Sequence, residues 1–192
     1  MLAPETVDLY LDDALEALEH HSVERRAVLD ALPVPVYLTD PEGRVTYWNS
    51  ACADFAGREP QLGKDRWCIT WNMYTLSDDP LPHDRCPMAT ALREKRSVRG
   101  EIAIAMRPDG SRRAFQPYPT PLFDEFGDVI GAINMLIDVS AEQAEVLADQ
   151  ACRCRRLAAA VSDRYTVQIL RAMANGYERN SKALRTETLQ QV

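Results

Sequence analysis

Val36-Tyr37-Leu38-Thr39-Asp40-Pro41-Glu42-Gly43-Arg44-Val45-Thr46-Tyr47-Trp48-Asn49 reads as two short strands joined by a tight turn. β-Branched and aromatic residues fill both runs, and Asp-Pro-Glu-Gly separates them. Proline presets φ for the first corner of such a turn, and glycine takes φ > 0 at its exit. Two further pairs follow the same pattern. Glu101–Met106 and Ser111–Tyr118 flank Arg107-Pro108-Asp109-Gly110, and Thr120–Phe123 and Val129–Ile137 flank Asp124-Glu125-Phe126-Gly127. Turn residues between β-rich runs mark hairpins, so the pairs predict an antiparallel sheet of about five strands. About fifty residues of mixed character separate the first pair from the second, so helices are expected to cover one face there. The fold class is α+β.

Outward from the sheet, long helices are expected on both sides. Residues 6–31 read as one helix, in which Val7, Leu11, Ala14 and Leu18 recur at alternating spacings of four and three. That is the heptad signature of a helix-pairing seam. A second apolar line, Leu15, Leu18, Leu29 and Leu32, is interrupted by Ser22 and Arg25, and Pro33 and Pro35 end the helix. The seam has no partner within its own helix, so a homodimer is expected. Residues 50–57 suit a short helix, with Ser50 as N-cap and Gly57 as the stop. Residues 58–86 hold no period for long and read as a long structured loop with fragments of helix. A helix over 87–96 follows, with Pro87 in its first turn.

Past the sheet, Ser140 and Gln143 have the spacing of a capping box. Leu147, Ala151, Cys154, Ala158 and Val161 line one face of the helix that follows, and Ser162-Asp163 marks a break and a fresh N-cap. The last helix places Leu170, Met173, Tyr177 and Leu184 on one face. The tail is a helical hairpin or a bent helix. The expected organisation is therefore an N-terminal amphipathic helix over 1–31, an α+β domain over 32–139 and a helical tail over 140–192.

Composition excludes several function classes. The chain has 192 residues, 46% hydrophobic and 27% charged, which is ordinary for a globular protein. A net charge of −7 argues against nucleic acid as a partner, because duplex binding needs a basic surface. The basic cluster Arg153, Arg155 and Arg156 reads as a solvated helix face. Apolar runs are too short for a membrane span, and the acidic start lacks a signal-peptide pattern, so a cytoplasmic location is expected. Five cysteines at irregular spacings suggest reduced thiols rather than a disulfide framework. His20 and His21 are adjacent on a predicted helix and read as surface residues. Nucleophile elbows, metalloprotease histidine pairs and phosphate-cradling loops are missing, so catalysis is not expected.

In order and spacing, residues 24–140 resemble the PAS domain family. A helix leads to Leu32-Pro33 and the strand Val36–Asp40. Gly43 and Val45-Thr46-Tyr47-Trp48-Asn49 follow, with asparagine ending the second strand as in many PAS domains. Arg107–Ser111 is similar to the family's hairpin between its third and fourth strands. Gly127–Gly131 leads the fifth strand, and Asp138-Val139-Ser140 is similar to the junction into an output helix. Leu81–Ala89 looks like a segment of one bacterial subgroup. The resemblance implies a five-stranded antiparallel sheet with helices on one face, and a pocket between them for a small ligand or cofactor. It implies a sensor that dimerises and relays its state through flanking helices to a signalling partner. The asparagine-cysteine-arginine-phenylalanine core of the flavin photosensor branch is not present, so a flavin–cysteinyl photocycle is not expected.

The candidate cofactor-binding residues are His83, Cys86, Trp67, Trp71 and Tyr74. Histidine and cysteine three apart suit haem iron or another transition metal, with Cys68 and Met88 as possible neighbours. This gives a second reading, a haem or metal redox or gas sensor. Alternatively His83 or Asp84 simply caps the helix that begins near Pro87. The aromatic cluster Trp67, Trp71 and Tyr74 serves either as core filling or as the wall of a small-molecule pocket. Asp138 and Ser140 are the candidate signal junction, Ser140 as the N-cap that sets where the tail starts.

Overall fold

In the computed structural model, residues 4–19 and 23–185 are described; His20 and His21 lie outside them. The chain forms two compact units. One holds the described residues through Gly110 together with Phe115–Asp138, and the other holds Ser111–Ala114 together with the described residues from Val139 onward.

The first unit is built on α1 (Pro4–Glu19), α2 (Val23–Ala31), β1 (Val36–Thr39), β2 (Val45–Trp48), α3 (Ser50–Ala56), β3 (Asn72–Tyr74), α4 (Pro87–Glu94), β4 (Ala103–Met106), the second half of β5 (Arg112–Pro117), β6 (Thr120–Phe123) and β7 (Val129–Asp138). The strands make one sheet in the order β2-β1-β7-β5-β4-β3, with β6 also beside β7. The fold is α+β, as expected. The sheet has seven strands rather than five, for two physical reasons.

β5 and β6 are one strand interrupted. Pro117 lies opposite Leu136 and Thr120 opposite Ile133, so register is kept across the gap. Pro117, Pro119 and Pro121 each lack an amide donor, which breaks the ladder locally. The other addition is β3, three residues inside the stretch expected to be loop. Its Asn72, Met73 and Tyr74 pair with Met106, Ala105 and Ile104. A strand this short is below the length at which alternation can be read.

Side chains from α3 and α4 pack on one face of the sheet. Cys52, Phe55, Met88, Ala89 and Leu92 meet Tyr37, Val45, Ala103, Ala105, Phe115 and Leu136 there, together with Ile69 and Met73. Phe55 and Phe115 meet edge to face, centroids 5.5 Å apart. The other face of the central strands, Val36, Leu38, Ile133 and Met135, is buried as well. β7 therefore reads as a continuous apolar run, the pattern of a strand covered on both sides. Val7, Leu11 and Ala14 of α1 are buried within the chain. The seam expected to face a second copy is thus already covered.

Capping in this unit differs from expectation at two helices. Asn49, not Ser50, is the N-cap of α3, while Gly57 ends the helix at φ +65° with its amide on the Ala53 carbonyl. The short 3₁₀ turn His83–Arg85 precedes α4, whose N-cap is Cys86, so neither His83 nor Asp84 caps it.

The second unit carries α5 (Ser140–Ala160) and α6 (Arg164–Arg185). They form an antiparallel hairpin. The Ser181 hydroxyl donates to the Ala144 carbonyl at 2.7 Å, and Arg155 pairs with Glu178. Ala144, Leu147, Ala151, Cys154 and Ala158 face Ala174, Ser181 and Leu184, so the seam is made mostly of small residues. Asp163 caps α6, accepting from the Thr166 amide at 2.7 Å. Met173, expected on the packed face, is 43% exposed. The true stripe runs Val167, Leu170, Ala174, Tyr177, Ser181 and Leu184, one residue away from Met173. Ser140 does not cap α5. Val139 is the N-cap, and Ser140 Oγ instead accepts from the Ala114 amide at 3.0 Å. A side chain spent on the β5 backbone cannot close a capping box.

Candidate functional site

The segment between α3 and β3 is pinned to the β1–β2 hairpin by backbone hydrogen bonds. Trp67 N–H donates to Gly43 O at 2.7 Å, Val45 N–H to Asp65 O at 2.9 Å and Gly63 N–H to Val45 O at 2.8 Å. Arg66 Nε adds a bond to Glu42 O at 2.7 Å. Gly43 has φ +81°, and a Cβ there would lie 2.0 Å from the Trp67 ring. Only glycine allows the indole to lie on the turn. Trp67 itself has φ +69°, a conformation the surrounding bonds must hold in place.

This pinned segment and the 3₁₀ turn frame an open cleft of about 670 Å³. Arg58, Gln61, Lys64, Asp65, Arg66, Trp67, Cys68, Thr70, Trp71, Asn72 and His83 line it. Three cations stand against one carboxylate. Arg58 reaches Asp65 at 2.8 Å and the Ile69 carbonyl at 2.9 Å. Its Nε is buried, with no partner of its own. The Arg66 guanidinium stacks on Trp67, 4.8 Å from the ring centre. Trp71 is 54% exposed on the cleft, a large apolar surface left in water. His83 Nε2 lies 3.1 Å from the Thr70 carbonyl. A carbonyl only accepts, so that nitrogen carries the proton.

Behind the cleft a buried polar chain runs into the sheet. The Tyr37 hydroxyl donates to the Trp67 carbonyl at 3.0 Å and accepts from Asn134 Nδ2 at 2.8 Å. Asn134 Oδ1 accepts from the Tyr118 amide at 3.0 Å. Burial pushes the Tyr37 phenol well above its ordinary value, so it stays protonated. The chain links the cleft wall to β1, then β7, then the joint between β5 and β6.

Of the five cofactor candidates, Trp67, Trp71 and His83 meet in the cleft. Cys86 and Tyr74 are not among its lining residues. Cys86 is buried in the core, Sγ 3.8 Å from the Trp67 carbonyl, and burial pushes its thiol up to about 12. Tyr74 sits on β3, at the edge of the sheet. Helical spacing brought His83 and Cys86 to one side only on paper, because the 3₁₀ turn ends between them. Among the described residues, no three or more His, Cys, Asp or Glu side chains are placed to hold a metal. His83 lines the cleft while Cys86 lies in the core, so the two do not line one shared site. The junction candidates separate as well. Asp138 ends β7 opposite Phe115 with its side chain exposed, while Ser140 is buried against Ala114.

The cleft's basic residues and the Tyr37–Asn134 pair were not among the candidates. Asn134 left a signal, a lone amide inside the apolar run Gly131–Ile137. A family model described as the PAS fold matches residues 29–144. The chain belongs to the PAS fold family. Its PAS region runs from the last turn of α2 to the start of α5. Among solved structures it is similar to a LOV protein of Rhodobacter sphaeroides, at 16% identity and TM-score 0.49, over 91% of this chain and 97% of that one. It is also similar to the PAS domain of BvgS from Bordetella pertussis, at 24% identity and TM-score 0.40, over 59% and 81%. A third is the PAS domain of an HTR-like protein from Haloarcula marismortui, at 17% identity and TM-score 0.46, over 65% and 97%. No curated protein matches the chain. As a PAS domain it presents the cleft beside its β1–β2 hairpin, while the face under α3 and α4 is filled by side chains. No helix among the described residues is long and apolar enough to cross a membrane.

Proposed function

We propose that this PAS domain is a sensory module, not a catalyst, that works as a homodimer and takes a small, flat, negatively charged ligand in the Trp67–Trp71–His83 cleft. The ligand would stack on Trp71, and its anionic group would answer the unpaired Arg58 Nε and the excess of lining cations. The observation that carries this reading is the exposed Trp71 in a basic cleft whose wall is hydrogen-bonded to Tyr37, and through Tyr37 to Asn134. Ligand contact that moves Trp67 would alter the acceptor of Tyr37, and through Asn134 the hydrogen bonding of β7. β7 runs by way of Asp138 into the helical tail, the route by which a signalling partner would read the state.

The test is a titration with 2-naphthoate and with neutral 2-naphthalenemethanol, followed by tryptophan fluorescence. Naphthoate should quench saturably, and the alcohol should bind about tenfold more weakly or worse, a difference of about 1.4 kcal/mol. Trp71→Ala should abolish both signals. Native mass spectrometry of freshly purified protein reports any copurified ligand and the oligomeric state together. Equal affinity for acid and alcohol would overturn the anionic ligand. A Soret band in the purified protein, lost in His83→Ala, would replace it with the haem sensor.

A further inference from the structure

α5 packs its buried stripe, Ala144 to Ala158, against α6, which leaves its opposite side to solvent. Along that side lie Val146, Asp149, Arg153 and Leu157, all exposed; Val146 is 47% and Leu157 48% exposed. At 100° per residue these four positions form one line down the helix. The charges on α5 are sorted by position. Glu142, Glu145 and Asp149 occupy the N-terminal half, and Arg153, Arg155 and Arg156 the C-terminal half. We infer that this exposed line is the seam on which a second copy of the chain docks, α5 antiparallel on α5 about a two-fold axis that crosses the exposed line at the height of Ala151. In that register Asp149 faces Arg153 of the second copy, Glu145 comes beside its Arg156, and Val146 beside its Leu157. Each pair agrees on the same centre to within one residue, and symmetry makes every pair twice.

A two-fold contact needs a surface complementary to itself, and this arrangement of acid, apolar and basic residues supplies one. The reverse halves in parallel would set acid on acid and base on base. A single helix-on-helix seam is small for a stable dimer, which buries about 1,200 Å² or more. Met173 of α6 extends it. Leu157 and Met173 each precede a seam residue, Ala158 and Ala174, by one position. In an antiparallel pair such positions share one side of the hairpin, so Ile169 and Met173, 44% and 43% exposed, widen the face. α1 offers no comparable line, since Val7, Leu11 and Ala14 are buried.

This inference rests on the reading of the protein as a dimer, and sedimentation equilibrium of the full chain separates the two. Asp149→Arg alone and Arg153→Asp alone set like charges across the axis. Each should raise the dimer dissociation constant about tenfold or more, and the double swap Asp149→Arg/Arg153→Asp should bring it back to within about threefold of the wild type. Circular dichroism confirms that each variant keeps its helices. Rescue by the double swap supports the seam. A wild type that stays monomeric at 100 micromolar (an order-of-magnitude upper working concentration, roughly that of a weak dimer) overturns both the dimer and the seam. A dimer that neither single variant weakens overturns the seam alone.

Discussion

At the scale of single residues, Asn49 holds more of the fold than any charged group near it. It is 1% exposed, and its Oδ1 accepts from the Val36 amide at 3.0 Å. Its Nδ2 donates toward the carbonyls of Leu29, Leu32 and Val34 at 3.1, 3.4 and 2.9 Å. One side chain thus joins the end of α2, the proline link and β1. Asn49→Ala should cost about 3 kcal/mol, because several buried backbone groups lose their partner at once. Asn49→Asp should cost more, since it turns an anion toward three carbonyl oxygens without a donor between them. Urea unfolding reads both, and an Asp variant at least as stable as the Ala variant would contradict the bonding described. Tyr37→Phe acts differently. It removes the acceptor of Asn134 Nδ2 and leaves the Trp67 carbonyl with only the long Cys86 Sγ contact, at a cost of about 1–2 kcal/mol, and should leave naphthoate affinity within a few-fold of wild type. The ligand-induced change in hydrogen exchange along β7 should disappear. Exchange that responds as in the wild type would remove the Tyr37–Asn134 chain from the relay.

At the scale of elements, two carboxylates at the surface of the α5–α6 hairpin make its stability respond to pH. Hydrogen bonds from Thr166 hold Asp163 below its ordinary 3.8, and Lys182 followed by Arg155 hold Glu178 below its ordinary 4.5. A carboxyl group depressed in the folded state adds stability that is present above its unfolded value and is lost as pH falls through the folded one. Helical signal should therefore decline on acidification below these ordinary values, and added salt should blunt the Glu178 share. In Asp163→Asn/Glu178→Gln the cap acceptor remains but neither site titrates, so the acid loss should shrink; an unchanged acid profile in that variant would refute the assignment. The cap was legible in the sequence, because Ser162-Asp163 interrupts one apolar stripe and starts another. The three hairpins were legible for a similar reason, since glycine at a fixed turn position, with proline in two of the three, acts locally. β3 and the cleft were not. β3 arises from its pairing with Ile104–Met106 of β4, and the cleft from long-range backbone bonds between residues 63–67 and 43–45; no period in these segments announces either. Trp67 and Trp71 stood out by residue type alone, whereas Arg58 and Lys64 look like any surface cation until the fold gathers them. The α1 seam misled for the converse reason. A heptad states that a helix has an apolar stripe to cover, not whether the cover comes from the same chain.

At the scale of the whole molecule, the two units differ in what holds them, and the cysteines report on each. Cys52, Cys68 and Cys86 are buried in the first unit and Cys154 in the second, while Cys152 is exposed. Burial raises the thiols of Cys52, Cys68 and Cys86, the last to about 12, so their thiolates are scarce at pH 8 and reaction there requires opening of the structure. The first unit is closed by large side chains, Tyr37, Phe55, Ile69, Met88 and Phe115 among them. The second is closed mainly by Ala144, Ala151, Ala158, Ala174 and Ser181, each of which removes far less apolar surface from water. Local opening should therefore come more readily in the hairpin. Pulsed alkylation at pH 8 with peptide mass mapping should find Cys152 modified first. Cys154 should follow at least about tenfold faster than the three sheet-unit thiols, a difference of about 1.4 kcal/mol in opening free energy. If the seam on α5 closes a dimer, the Cys154 rate should fall as protein concentration rises, because assembly withdraws the open hairpin by mass action, while Cys52, Cys68 and Cys86 keep their rates. One common rate for all four buried thiols would mean that the chain opens as a single cooperative body, and the division into two units of unequal stability would then be wrong.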